Sequence, residues 1–181
     1  MVYVFLANGF EEIEALCTVD ILRRAKIDVQ TVGVGGKTIT GSHKITVIAD
    51  TTEEELSNTA PFEMIVLPGG LPGADNLDAS YKVDLFISRA ISEDKYIAAI
   101  CAAPYILGKR DILKGKRACC YPGFEINLKG AWVEERGVIR DGKIITARAM
   151  GYSHDFALEL VEALSGKAER AKIAEGILYK A

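Results

Sequence analysis

Histidine and tryptophan are scarce in this chain, with two of the first, His43 and His154, and one of the second. Four cysteines are present, and none of them form a Cys-x-x-Cys pair, which disfavours zinc and thioredoxin-like redox chemistry. No apolar run reaches the ~18 residues that a membrane helix needs. The longest candidate, Tyr96 to Gly108, contains Pro104 and stops at Lys109. A basic excess is also missing: 22 basic side chains face 25 acidic ones, a net charge of −3. Nucleic acid and anionic membrane both select for basic surface, so neither is expected as a partner. The opening Met-Val-Tyr-Val-Phe-Leu has no basic region and no small-residue cleavage site before Glu11. A cytoplasmic location is expected, with Cys17, Cys101, Cys119 and Cys120 as thiols.

What is present is a globular balance: 49% apolar and 26% charged residues, which excludes wholesale disorder. At 181 residues one domain, 1–181, is expected, with no internal repeat or linker. A chain of this length buries about 70% of its unfolded surface and needs no disulfide or metal staple.

Strand and helix patterns alternate. Val2 to Leu6, Met64 to Leu67 and Ile97 to Ile100 are short apolar runs suited to strands buried on both faces. Ile27 to Val34 and Arg117 to Cys120 are further strands, and Thr38 to Ile48 reads as one or two around Gly41-Ser42. Asp141-Gly142 between Val138–Arg140 and Lys143–Ala147 marks a hairpin. Helical spacing runs over Glu11 to Ala25, Tyr81 to Ser92, Phe156 to Leu164 and Ala168 to Leu178. The sum is an α/β fold with a mostly parallel central sheet covered by helices on both faces.

Ligands in such folds sit at the carboxyl ends of the strands. Three segments fall there: Asn8 to Glu14, Leu67-Pro68-Gly69-Gly70, and Ala98 to Pro104 with Cys101 at the strand-to-helix turn. A cysteine at such a turn projects its sulfur from the sheet top, and a helix N-terminus favours its thiolate. A buried, inert cysteine fits the position equally well. Glu11 and Glu12 read as first-turn acids complementing the helix dipole. Glu14 lies near the apolar face of Cys17 and Ile21, where a carboxyl gains a raised pKa and can donate to a nearby sulfur. Gly69 and Gly70 expose backbone N–H groups suited to an oxyanion, although an ordinary tight turn looks the same.

Other motifs fail. Gly36-Lys37-Thr38 imitates the end of a P-loop, but Thr31 stands where its first glycine belongs. Adjacent residues on a helix do not face one another, so Ser153-His154-Asp155 reads as cap and surface. His43 reads as a solvated turn residue and Cys17 as helix packing. Alternation sends one sulfur of Cys119-Cys120 inward and the other outward.

In order and spacing, Gly9 to Glu14, Val66 to Gly70, Ala98 to Pro104 and Phe156 to Leu164 together resemble the ThiJ/PfpI superfamily, in the branch with human Parkinson-associated (DJ-one-like) and bacterial members. The resemblance covers essentially the whole chain. It implies a flavodoxin-like fold, an easily oxidised nucleophile at Cys101, and a largely protonated acid at Glu14 that donates to the sulfur. It also implies oxyanion donors from the backbone of Gly70 and Ala102, beside Gly69, no cofactor, no metal, and a homodimer with the first helix near the interface; Tyr121 at the same pocket either binds substrate or walls it. Arg24 and His43 match dimer-related positions near the pocket, and Arg148, Ala149 and Met150 match its edge. Many members carry histidine where this chain has Tyr121, before Pro122. A cysteine-protease pairing is therefore not expected.

The expected function is a cofactor-independent glyoxalase III or deglycase-type stress enzyme acting on a small α-oxoaldehyde or a glycated substrate, for instance methylglyoxal to lactate. The alternative is a redox-responsive cysteine sensor or chaperone-like protein with little turnover. A binding module without chemistry is the third reading.

Overall fold

The computed structural model describes residues 1–180. β1 (Val2–Ala7) leads into α1 (Glu12–Arg24), followed by β2 (Val29–Val34), the antiparallel pair β3 (Thr38–Thr40) and β4 (Thr46–Ile48), and the short β5 (Thr51–Thr52). Next come β6 (Met64–Leu67), α2 (Gly73–Ala79), α3 (Tyr81–Ser92), β7 (Tyr96–Ile100) and α4 (Pro104–Gly108). The chain continues through β8 (Arg117–Ala118), β9 (Trp132–Val133), β10 (Val138–Asp141), β11 (Ile144–Ala147), α5 (Ser153–Ser165) and α6 (Lys167–Gly176).

The central sheet has seven strands in the order β10-β11-β7-β6-β1-β2-β5. All its pairings are parallel except β10 with β11, the hairpin turning at Asp141-Gly142. The fold is thus a single-domain α/β sandwich. β1 lies inside the sheet between β6 and β2, and its alternate residues feed two cores. Tyr3, Phe5 and Ala7 join Ile65, Leu67, Ile97 and Ala99 under α2, α3 and α4, where Leu77, Phe86 and Leu107 pack. Val2, Val4 and Leu6 join Met64, Val66, Ala98 and Ile100 under α1 and α5, where Ala15, Leu22, Phe156 and Leu160 pack. Burial on both faces explains why these strands read as unbroken apolar runs.

Sequence reasoning did not anticipate three elements. β5 and β9 are two residues long, too short for any periodicity, and α2 contributes only Ala74 and Leu77 to a core. The Arg117–Cys120 strand is shorter than expected, because only Arg117 and Ala118 find partners, in Trp132 and Val133. Cys119 and Cys120 are both buried, which corrects the expectation that one sulfur faces outward.

Candidate active site

β1, β6 and β7 are neighbours in the sheet, so the turns beyond Ala7, Leu67 and Ile100 converge at one edge. Cys101 occupies the third turn with φ +64°, a left-handed conformation that costs a non-glycine residue about 1 kcal/mol or more. Two hydrogen bonds hold it there. The Cys101 amide donates to Ala147 O at 2.9 Å, and its carbonyl accepts from the Tyr121 amide at 2.8 Å. Ala102 and Ala103 are buried beneath the turn, and Pro104 opens α4 where no N–H is required. The cysteine itself is half-buried.

Glu14 arrives from α1. Glu11 caps that helix: its Oε2 accepts the Glu14 amide at 2.7 Å, while its own amide donates to Gly69 O at 2.9 Å. The cap locks the first turn of α1 onto the β6 turn. Glu14 then points inward, fully buried, and its Oε2 accepts the Gly69 amide at 2.8 Å. Oε1 is the single buried side-chain oxygen among the described residues that no conventional donor satisfies. The Glu14 carboxyl and the Cys101 thiol lie close enough that each alters the other's ionisation.

Burial pushes the Glu14 carboxyl up from 4.5 to about 7; its contacts to Cys101 and the Gly69 amide oppose the shift, and the Glu11 charge adds to it. Burial, then the Glu14 carboxylate, push the Cys101 thiol far up, against the Ala102 and Gly70 N–H groups. This corrects the expectation of a simple low-pKa thiolate at a helix N-terminus. α4 spans only Pro104–Gly108, and the sulfur faces an acid. Two adjacent negative charges are strongly disfavoured in such a site, so the pair titrates as a unit and shares one proton across a broad range. Thiolate forms when that proton sits on Glu14.

The glycines are steric requirements. A Cβ on Gly69 would lie 2.6 Å from Cys101 Cβ and 2.7 Å from Glu14 Oε2. Gly70 has φ +86°, and a Cβ there would lie 2.4 Å from the Glu11 amide nitrogen. Among the sequence-selected residues, Glu14, Gly69, Gly70, Cys101 and Ala102 thus converge. Tyr121 joins through its backbone bond to the Cys101 carbonyl, and its side chain is exposed. Arg148 follows Ala147, which binds the Cys101 amide, and its charge acts on Cys119 and Cys120.

Other sequence expectations need correction. Glu12 is no exposed dipole partner: it is 2% exposed and grips the β3–β4 loop. Its Oε1 accepts the His43 and Ile45 amides at 2.7 and 3.3 Å, and its Oε2 pairs with His43 Nδ1 at 3.0 Å. Burial alone would raise the Glu12 pKa, yet the His43 ring and these amides hold it below the ordinary value. His43 is exposed but ion-paired, with a raised pKa. Arg24 is exposed and pairs with Asp20 one turn earlier on α1. Ser153 is fully buried, and its hydroxyl donates to Met150 O, rather than lying on the surface. The backbone clamps from Ala147 and Tyr121, and the capping role of Glu11, carried no signal in the sequence beyond their place near the turn.

A family model described as the DJ-1/PfpI family matches residues 1–163. Protein dj-1beta of Drosophila melanogaster is 36% identical over 178 residues, covering 97% of this chain and 95% of the relative. The Parkinson disease protein 7 homolog of Danio rerio is 34% identical, covering 98% and 96%. Among solved structures, a cysteine-to-alanine mutant of a DJ-1 superfamily protein from Salmonella typhimurium superimposes with TM-score 0.94 at 37% identity, covering 99% of this chain and 98% of that one. Oxidized Toxoplasma gondii DJ-1 gives 0.95 at 32%, with the same coverage.

Proposed function

The chain belongs to the DJ-1/PfpI family, and on that premise we propose that it is a cofactor-independent glyoxalase III or deglycase-type stress enzyme using Cys101 on small α-oxoaldehydes or the adducts they form. The observation that carries this reading is the buried Glu14 carboxyl, with a pKa near 7, paired to a thiol that backbone N–H groups surround. A general acid–base works best with a pKa near the working pH.

With methylglyoxal, Glu14 takes the thiol proton and the sulfur attacks the aldehyde carbon. The aldehyde oxygen becomes an oxyanion, held by the Gly70 and Ala102 N–H groups, and collects the proton from Glu14. Glu14, again a carboxylate, removes the hydrogen from that carbon, giving an enediolate. Returning the proton to the neighbouring carbon leaves a thioester of lactate on Cys101. Water hydrolyses the thioester, which frees lactate and restores the thiol. Gly69 keeps Glu14 oriented throughout, and Tyr121 forms the exposed rim.

The test is methylglyoxal consumption with lactate detection by metal-free protein. Wild type should turn over, while Cys101→Ser and Glu14→Gln should lose activity by at least a hundredfold. Equal rates for Cys101→Ser would overturn the mechanism.

A second reading, redox sensing, is favoured by the contrast among the thiols. Cys119 and Cys120 are buried, whereas Cys101 is only half-buried and sits beside an acid that can donate to a sulfinate oxygen. Mild peroxide followed by mass spectrometry decides it: two oxygens gained on Cys101 alone, with negligible turnover, would support sensing.

The same family reading implies a homodimer through the outer face of α1, where Ile13 and Leu16 are exposed beside Cys17. Sedimentation of the full chain tests this assembly.

A further inference from the structure

At the pole opposite Cys101, the amino ends of β7 and β11 meet the end of α3 and the loop after α4. They line an open pocket of about 360 Å³. Ala90, Ile97 and Ile144 form its buried floor, with Ile91 and Ile112 as apolar walls. Lys95, Lys116 and Lys143 stand around it, and Asp94 is the one acid among the lining residues. The site therefore joins an apolar floor to a cationic rim on a chain whose net charge is −3.

One of the three ammonium groups is paired, and the other two are not firmly neutralised. Lys95 pairs at 2.9 Å with Glu63, itself 62% exposed. Lys143 reaches Asp94 only at 3.9 Å, with that carboxylate 85% exposed, and otherwise lies over the Tyr96 ring at 4.2 Å. Among the described residues Lys116 has no ion-pair partner. Exposed pairs of this kind are worth little, so an incoming anion displaces them at small cost.

We propose that this pocket is a binding site for a small amphiphilic monocarboxylate, whose short apolar tail lies on Ala90, Ile97 and Ile144 while its carboxylate meets the lysine rim. The volume lies in the range of small-molecule sites and suits a body of some six to ten carbon atoms. The lysines offer point charges rather than a rigid fork, so they fit a single carboxylate and make no demand for bidentate geometry. Cys101 lies beyond the far end of the five-residue strand β7, roughly 16 Å away at the usual rise per residue. The site is thus separate from the thiol chemistry and stands or falls without it.

The experiment titrates the full-length protein with hexanoate, 1-hexanol and hexylammonium, following amide resonances by NMR. Hexanoate is expected to bind with a dissociation constant in the low millimolar range, as suits about eight non-hydrogen atoms. Shifts should concentrate at Ile91, Lys95, Ile97, Gly142 and Ile144. Hexanol should bind at least fivefold more weakly, and hexylammonium more weakly still. The double variant Lys116→Gln/Lys143→Gln should weaken hexanoate at least fivefold, and Asp94→Asn should tighten it about twofold. Absence of shifts at these residues, or hexanol binding as tightly as hexanoate, would overturn the proposal. The ligand series on wild type decides the question even if the double variant folds poorly.

Discussion

Gly69 lies so close to Cys101 that a methyl group on the first would sit 2.6 Å from Cβ of the second. It would also sit 2.7 Å from Glu14 Oε2, so this one position sets the spacing between acid and thiol. Gly69→Ala should therefore push the two side chains apart. The expected result is at least a tenfold fall in iodoacetamide labelling of Cys101 and a loss of about 1–3 kcal/mol of stability by urea melt, as for overpacking elsewhere. Labelling at the wild-type rate would refute the steric account.

Labelling of Cys101 should follow the pair rather than a lone thiol, with a rate that rises through an apparent pKa near 7. Glu14→Gln removes the proton acceptor while burial still opposes the thiolate. The midpoint should then move up by more than one pH unit, and a fixed midpoint would show that Glu14 does not hold the proton.

Stability carries the same signature. A carboxyl whose pKa is raised from 4.5 to about 7 on folding stabilises the fold below pH 4.5 relative to higher pH, and that contribution is lost as pH rises through 7. The full effect is roughly 3 kcal/mol. Urea melts of wild type should weaken from pH 5 to 8 by a step that Glu14→Gln lacks.

Glu12 works in the opposite sense. Its depressed pKa means that its stabilisation is present above pH 4.5 and fades as pH falls through the folded value. Glu12→Ala should free the His43 and Ile45 amides, raising their hydrogen exchange to that of a frayed loop and costing about 1–3 kcal/mol.

Ile13→Glu with Leu16→Glu should leave the monomer fold intact, because both side chains are exposed. Sedimentation should show a dimer for wild type and a monomer for the double variant.

The legible part of this molecule is the part governed by burial and by turn chemistry. Val2 to Ala7 and Met64 to Leu67 announced themselves because strands covered on both faces are apolar throughout. Asp141-Gly142 announced its hairpin because a tight turn between two paired strands favours those residues. Glu14 drew notice through its position on the apolar side of a helix. Glu12 did not: the loop that buries it, Ser42 to Ile45, lies some thirty residues away and approaches only once β3 and β4 are placed. The charge balance at Cys101 is hidden from the sequence for the same reason. A helix start is a local feature, whereas the depth of the pocket and the acid opposite it are products of the tertiary arrangement.

The two borders of the central sheet decide how another copy of this chain can approach. One is β5, two residues long, and the other is β10, which carries Arg140 and Asp141. Neither offers the long, flat, uncharged row of free amides and carbonyls that templates strand addition. Growth by sheet extension is thus blocked on both sides. Contact between copies is left to helix faces and the β3–β4 arm.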